Sequence, residues 1–108
     1  MRSTLIIYCT CPDAASARQL ADGLVRDRLA ACVSMISGVT SVYEWQGEVQ
    51  HDAEQLLVIK TSKDRYPELE MAILERHPYE LPEIIAVPIV QGLPDYLKWV
   101  EECTLAND

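Results

Sequence analysis

The side chains best suited to bind a soft metal or to act as nucleophiles include four thiols and an imidazole: Cys9, Cys11, Cys32, Cys103 and His77. No two cysteines form a CxxC pair, so the spacing supports neither a zinc ribbon nor a thioredoxin-like site. Cys9 and Cys11 are two residues apart, so in an extended strand both side chains point to the same face. A thiolate combined with an imidazole suits copper, and thiolate ligands select Cu(I).

Each of these residues also has an ordinary structural interpretation. Cys9 fits a small buried hydrophobe in a central strand, and Cys32 fits a core residue. His77 fits a histidine at a helix end that interacts with backbone carbonyls, and Cys11 fits the first residue of a loop. Cys9 with His77 as its base would form a nucleophile pair, but the sequence has no glycine-rich phosphate loop and no HExxH pattern. We therefore expect no enzymatic activity.

Hydrophobic patterning in the first third of the chain predicts a strand, a helix and a second strand. The β-rich apolar run at 3–10 indicates a central strand. Asp13 is expected to cap an amphipathic helix that continues to about Ala30. A second strand at 32–37 runs on through Gly38, and a glycine inside a strand pattern suggests a bulge or a bend.

The C-terminal half contains two further helices and an edge strand. A helix begins near Pro67 and must stop by His77, because a residue that precedes proline disfavours helical geometry. The apolar run at 84–90 indicates a fourth strand, and Pro88 within it argues for an edge position or a bulge. Asp95 is expected to cap a C-terminal helix.

The stretch 38–61 has the pattern of one long β-hairpin that reverses at Gln46 and Gly47. Each arm has about a dozen residues and should reach almost 40 Å at about 3.3 Å per residue. A compact chain of this size has a diameter of only about 33 Å, so the tip should project and pack on other copies of the chain. The alternative is a bent hairpin folded back on its own core. The tip carries three large side chains: Tyr43, Trp45 and Val49.

The order βαββαβ followed by a helix predicts a single α+β domain over 1–108, with a ferredoxin-like sandwich. In that fold both crossover helices cover one face of an antiparallel sheet. The last strand lies at an edge, in agreement with a proline inside it. The other sheet face would be left bare and apolar, which is a second reason to expect partner subunits.

Composition excludes several classes of function. The formal net charge of −8 repels phosphate backbones, and the sequence has no Lys/Arg stripe, so we expect no nucleic-acid partner. No apolar run reaches 18 residues, so we expect no membrane span. The N-terminal apolar run is short and leads directly into a helix, unlike a signal peptide. We expect a cytoplasmic protein with reduced thiols.

Four stretches of the sequence are distinctive: LAACVSMISGVTSVYEWQGEVQ at 29–50, EQLLVIKT at 54–61, HPYELPEIIAVPI at 77–89 and DYLKWV at 95–100. Together they span most of the chain and resemble the CutA family of divalent-cation tolerance proteins. The resemblance implies a ferredoxin-like fold and a homotrimer in which long hairpin strands extend across subunits. It also implies a role in tolerance to copper and other divalent ions through copper binding. No organic cofactor is expected.

The resemblance also implies which residues bind the metal. Cys9 matches the first-strand cysteine of the family, and His77 matches the histidine before Pro-Tyr. The resemblance implies that both residues are ligands for Cu+ or Cu2+. Cys11 and Cys32 are further candidates as metal ligands. Some relatives carry two adjacent histidines, whereas this chain has Arg76 before His77, and its fixed positive charge should weaken cation binding.

The trimer of the family is similar in architecture to PII signal-transduction proteins, which gives an alternative hypothesis. The protein would then be a trimeric signalling or scaffold protein that binds a small molecule or a partner protein at clefts between subunits. Five residues are expected near such a cleft: Trp45, Lys60, Tyr79, Glu83 and Trp99. The aromatic rings suit an interface, and the charged groups would suit a small anion or metabolite. Ordinary packing and solvated surface charge are the competing explanations.

Overall fold

The computed structural model describes residues 3–106, so both ends of the predicted domain, 1–2 and 107–108, lie outside the described residues. Its sheet has the order β2-β3-β1-β4, and all neighbouring strands pair antiparallel. This confirms the predicted α+β architecture and its βαββαβ order with an added helix. The elements are β1 Thr4–Cys11, α1 Ala14–Arg26, β2 Cys32–Trp45, β3 Glu48–Ser62, α2 Tyr66–Arg76, β4 Ile85–Pro88 and α3 Pro94–Cys103.

The core lies between one face of the sheet and the helices α1 and α2. Alternate residues of the central strands point into it, because successive strand residues face opposite sides of a sheet. Asp13 begins α1 as predicted, since its carboxylate accepts the Ser16 N–H at 2.7 Å. The fully buried apolar side chains of the core include Ile7, Leu24, Leu57, Ile59, Leu69 and Ile73.

The long hairpin forms as predicted and projects from the core. Gln46 and Gly47 both have positive φ angles, 52° and 82°, as the tight reversal requires. Gly38 also has a positive φ, and the β2–β3 register shifts between Ile36 and Val39, which confirms the predicted bulge. The molecule measures 45 × 28 × 22 Å, and its long dimension matches about 46 Å for a 14-residue strand. Trp45 near the tip is 54% exposed.

Three element boundaries differ from the sequence-based predictions. α1 ends at Arg26 instead of Ala30, because Arg28 adopts a left-handed φ of 61° and the chain turns back towards β2. β4 covers only Ile85–Pro88, a shorter strand than the predicted 84–90. The predicted cap at Asp95 is wrong, because α3 already begins at Pro94, whose fixed φ suits the first helical position.

The sheet face opposite α1 and α2 is partly covered by α3. Cys32 points to this face, where Tyr96 of α3 approaches its thiol. Away from α3 the face stays open and apolar, with Ile36, Ile85 and Val87 between 42% and 52% exposed. The prediction of a bare face therefore holds for part of the sheet only. Within residues 3–106, no helix has the length and apolar character needed to cross a membrane.

Candidate functional site

Cys9, Cys11 and His77 meet at the end of the core. Cys9 and Cys11 lie on the core face of β1, opposite Leu57 and Gln55 of β3, and both are fully buried. His77 follows the last residue of α2 and is 8% exposed. One donor atom from each of the three residues lies within 4.8 Å of the other two. The structure thus brings together both predicted metal ligands and one of the two further candidates.

The imidazole of His77 is held at both ring nitrogens. Its Nδ1 accepts the Tyr79 backbone N–H at 3.0 Å, so this nitrogen carries no proton. Its Nε2 therefore carries the proton and donates to the Thr10 carbonyl at 2.7 Å. The Nε2 atom also lies 3.7 Å from Cys11 Sγ. His77 behaves as the helix-end histidine that binds a carbonyl, but the carbonyl belongs to β1 and not to its own helix.

The two thiols differ in acidity because a side-chain hydrogen-bond interaction between them shifts their pKa values in opposite directions. That hydrogen bond raises the pKa of Cys9, as does its burial, and the same bond lowers the pKa of Cys11. The negative charges of Glu54 and Glu83 raise the pKa of Cys9 further. Cys11 is therefore the first of the pair to ionise. Two sulfurs and one nitrogen form a soft donor set, and its chemistry fits copper.

Cys32 does not join this cluster. It lies on the opposite sheet face, where Lys60 Nζ is 3.8 Å from its sulfur and 2.8 Å from Ser34 Oγ. Lys60 therefore points away from the cysteine–histidine cluster. Tyr96 of α3 lies on the same side of the sheet as Lys60. Trp99 of α3 stacks against Tyr96, with ring centroids 5.5 Å apart. The described residues contain one three-donor group with metal-like spacing, and it comprises Cys9, Cys11 and His77.

A cavity of about 830 Å³ lies next to the cluster, between the hairpin arm 41–45 and the connector 78–83. Trp45, Tyr79 and Glu83 line this cavity within one chain, whereas Lys60 and Trp99 do not. The predicted cleft between subunits stays a prediction. The Tyr79 hydroxyl donates to Glu54 Oε2 at 2.9 Å. Burial and this hydrogen bond raise the pKa of Tyr79, so the hydroxyl remains a donor at neutral pH.

The comparisons with known proteins decide the family. Residues 5–103 match the family model described as CutA1 divalent ion tolerance protein. The chain belongs to the CutA1 family. A CutA1 relative, the divalent-cation tolerance protein CutA of Thermus thermophilus, is 46% identical over 99 residues, which is 92% of this chain and 96% of that protein.

Other CutA1 relatives extend the match to eukaryotes. Protein CutA of Mus musculus is 44% identical over 97 residues, which is 90% of this chain but only 55% of the mouse protein. The crystal structure of CutA1 from Oryza sativa superposes with a TM-score of 0.94 at 38% identity, covering 97% of this chain and 96% of that one. The family inferred from the four distinctive stretches is therefore confirmed, and so is its fold.

Some contacts of this CutA1 site were not evident in the sequence. Thr10 contributes a backbone carbonyl, which no side-chain pattern can reveal. The Tyr43 hydroxyl donates to Asp52 across the hairpin. The turn at Gln46 and Gly47 could have revealed this second contact, because it sets a register in which Tyr43 and Asp52 are diagonal neighbours.

Proposed function

We propose that this CutA1 protein contributes to divalent-cation tolerance by binding copper at Cys9, Cys11 and His77. The observation that carries the proposal is the convergence of three buried soft donors within 4.8 Å of one another. Buried thiolates favour Cu(I), because soft sulfur ligands select it over harder divalent ions. Cys11 supplies the first thiolate, since its interaction with the Cys9 side chain lowers its pKa.

Copper binding at this cluster must displace protons. The Cys9 thiol must ionise, although its pKa is raised. The His77 proton on Nε2, which is bound to the Thr10 carbonyl, must leave or move before that nitrogen can bind copper. Because metal ligands must be deprotonated, affinity should increase with pH. His77 can therefore bind copper through Nε2 only after it loses its hydrogen bond to the Thr10 carbonyl. We expect the two sulfurs to provide most of the affinity.

Competition against a calibrated copper chelator tests this proposal on reduced, metal-free protein. We expect one equivalent of copper per chain. Cys9→Ser and Cys11→Ser should each lower the affinity by more than about tenfold, and His77→Ala should lower it less. Cys32→Ser is the matched control, because its thiol lies outside the cluster. Equal affinity in the wild type and in both cluster cysteine variants would refute the site.

We also propose that the protein is a homotrimer. The exposed aromatic and aliphatic residues at the hairpin tip support this proposal, because such side chains normally gain burial in a partner. The open apolar part of the sheet supports it as well. Light scattering at micromolar concentration should give about three times the chain mass of 12.2 kDa. A mass of one chain at that concentration would contradict the proposal.

A second candidate function is a PII-like signalling or scaffold role with a ligand in a cleft, and the cavity of about 830 Å³ favours it. Its volume lies within the range of small-molecule sites. A ligand that binds only the folded protein must raise its melting temperature, so a thermal-shift screen of metabolites tests this function. No shift with any metabolite would count against it. A lack of enzymatic activity and a cytoplasmic location stay predictions.

A further inference from the structure

The two hydrogen-bond partners of the His77 imidazole fix the position of its proton. A backbone N–H can only donate, and a backbone carbonyl can only accept. The Tyr79 N–H, 3.0 Å from Nδ1, therefore requires an unprotonated Nδ1. The Thr10 carbonyl, 2.7 Å from Nε2, requires a proton on Nε2. The imidazole is thus neutral, and the Tyr79 N–H occupies its one free lone pair.

Ligation of a metal ion by either ring nitrogen removes the hydrogen bond from Tyr79. Ligation at Nδ1 would replace the Tyr79 N–H directly. Ligation at Nε2, which lies 3.7 Å from Cys11 Sγ, requires the ring proton to move to Nδ1, and two donors would then face each other. A metal-bound histidine normally donates its other N–H to a carboxylate, a carbonyl or water. The Tyr79 N–H is itself a donor and cannot accept that proton.

Tyr79 is anchored at its other end, so its N–H is not free to move away from His77. Its hydroxyl donates to Glu54 Oε2 at 2.9 Å, and Glu54 is only 7% exposed. Its ring lies against the imidazole, with ring centroids 5.0 Å apart. Pro78 restricts the backbone between the two rings, because its φ angle is fixed. Release of the Tyr79 N–H must therefore displace the connector 78–83 or weaken the contact with Glu54.

We propose that metal binding is coupled to the conformation of the connector 78–83 through Tyr79. Ligation of His77 releases the Tyr79 N–H and shifts the connector, and the hydrogen bond between Tyr79 and Glu54 opposes this release. Tyr79 is thereby a positioning residue that sets the metal affinity, although it supplies no ligand atom. The coupling rests on the proposed copper binding at the cysteine–histidine cluster. It is reciprocal, so a weaker anchor at Glu54 must raise the affinity for the metal.

Nuclear magnetic resonance of the full-length, reduced, isotope-labelled protein tests the coupling, with Cu(I) as the probe because this ion is diamagnetic. Loading with Cu(I) should accelerate exchange of the Tyr79 amide with solvent by about tenfold or more, as expected when a hydrogen-bonded amide is released. The Ala31 amide is the internal control, because it donates to the Lys60 carbonyl at 2.9 Å, away from the cluster. Its exchange rate should not change. Ligation at Nε2 should also move the His77 ring proton to Nδ1, which the nitrogen chemical shifts report.

A second measurement uses Tyr79→Phe, which keeps the backbone N–H and removes the hydroxyl that holds Glu54. In competition against a copper chelator we expect this variant to bind Cu(I) about threefold to tenfold more tightly, since one hydrogen bond no longer opposes the release. Tyr66→Phe is the matched control, because the Tyr66 hydroxyl donates to Glu70 at 2.6 Å within α2. It should bind Cu(I) like the wild type. In a His77→Ala protein, Tyr79→Phe should no longer change the affinity.

Failure of the coupling and failure of copper binding give different results. Cu(I) that binds without faster exchange of the Tyr79 amide would overturn the coupling and leave the copper site intact. Equal or weaker binding by Tyr79→Phe would also overturn it, because a purely structural role of Tyr79 predicts that outcome. No binding of Cu(I) in the chelator competition would instead refute the proposed function, and the coupling with it.

Discussion

Replacement of His77 by alanine tests the structural role of the imidazole at the site. The ring accepts a hydrogen bond from the Tyr79 N–H at 3.0 Å and donates one to the Thr10 carbonyl at 2.7 Å. β4 pairs with β1 only as far as Tyr8, so β4 does not reach Thr10 of β1. The His77 imidazole donates to the Thr10 carbonyl where β4 is absent, and it thereby holds the connector after α2 against the sheet.

The expected loss of stability follows from these contacts. Two hydrogen bonds contribute about 1 kcal/mol each, and leaving the buried Thr10 carbonyl with only the weak Cys9 thiol contact at 3.9 Å adds about 1–2 kcal/mol. We therefore expect His77→Ala to lower the free energy of unfolding by about 3–4 kcal/mol, which is a large fraction of the 5–15 kcal/mol typical of small domains. Thr10 is only 8% exposed, so water cannot easily replace the imidazole.

Urea denaturation at fixed protein concentration measures this change. His51→Ala is the control, because His51 is the other histidine of the chain and is exposed on β3. Its loss should cost less than about 0.5 kcal/mol. His77→Gln should recover about 1 kcal/mol, since its amide can still donate to the Thr10 carbonyl. A cost of His77→Ala no larger than that of His51→Ala would refute the hydrogen-bonding role.

Three further changes test other parts of the structure by the same denaturation measurement. Thr61→Val should cost about 1–2 kcal/mol, because the buried hydroxyl of Thr61 donates to the Leu29 carbonyl at 2.7 Å; a neutral effect would contradict that bond. Gln46→Asn should stabilise the protein by about 0.5 kcal/mol, since asparagine tolerates the positive φ of this turn residue better; destabilisation would argue against the turn. The hydrogen bond from Ser16 holds the pKa of Asp13 below its usual range. Asp13 therefore stabilises the fold above the pKa of the unfolded carboxyl, and this contribution disappears as the pH falls through the folded-state pKa. The stability difference between wild type and Asp13→Ala should shrink in acid, and a pH-independent difference would contradict the capping role.

Much of the fold could be predicted because local patterns and the global topology agree. The turn at Gln46 and Gly47 fixed the hairpin, and the glycine at position 38 located its bulge. The spacing of Cys9 and Cys11 correctly placed both side chains on one face of β1. These features depend on strand periodicity and on glycine chemistry, which are properties of short segments.

The failures arose where tertiary contacts outweigh local preference. The sequence has no glycine to indicate where α1 ends. Arg28 adopts the left-handed conformation there instead. Its guanidinium donates to the Glu102 and Leu105 carbonyls of the C-terminal segment. The cavity was also hidden, since it forms between segments about 40 residues apart in the chain. Lys60 and Trp99 were expected with Trp45 at a cleft between subunits, and this stays a prediction, because a single chain does not contain such a cleft.

X-ray absorption at the copper edge of the Cu(I)-loaded, reduced protein identifies the ligands that bind copper. We expect sulfur to dominate the first coordination shell, with two sulfur ligands from Cys9 and Cys11 and a nitrogen ligand from His77. Cys11→Ser should remove one sulfur ligand, and Cys32→Ser should leave the spectrum unchanged. A shell of oxygen and nitrogen ligands alone would show that copper binds elsewhere and would contradict the assigned centre.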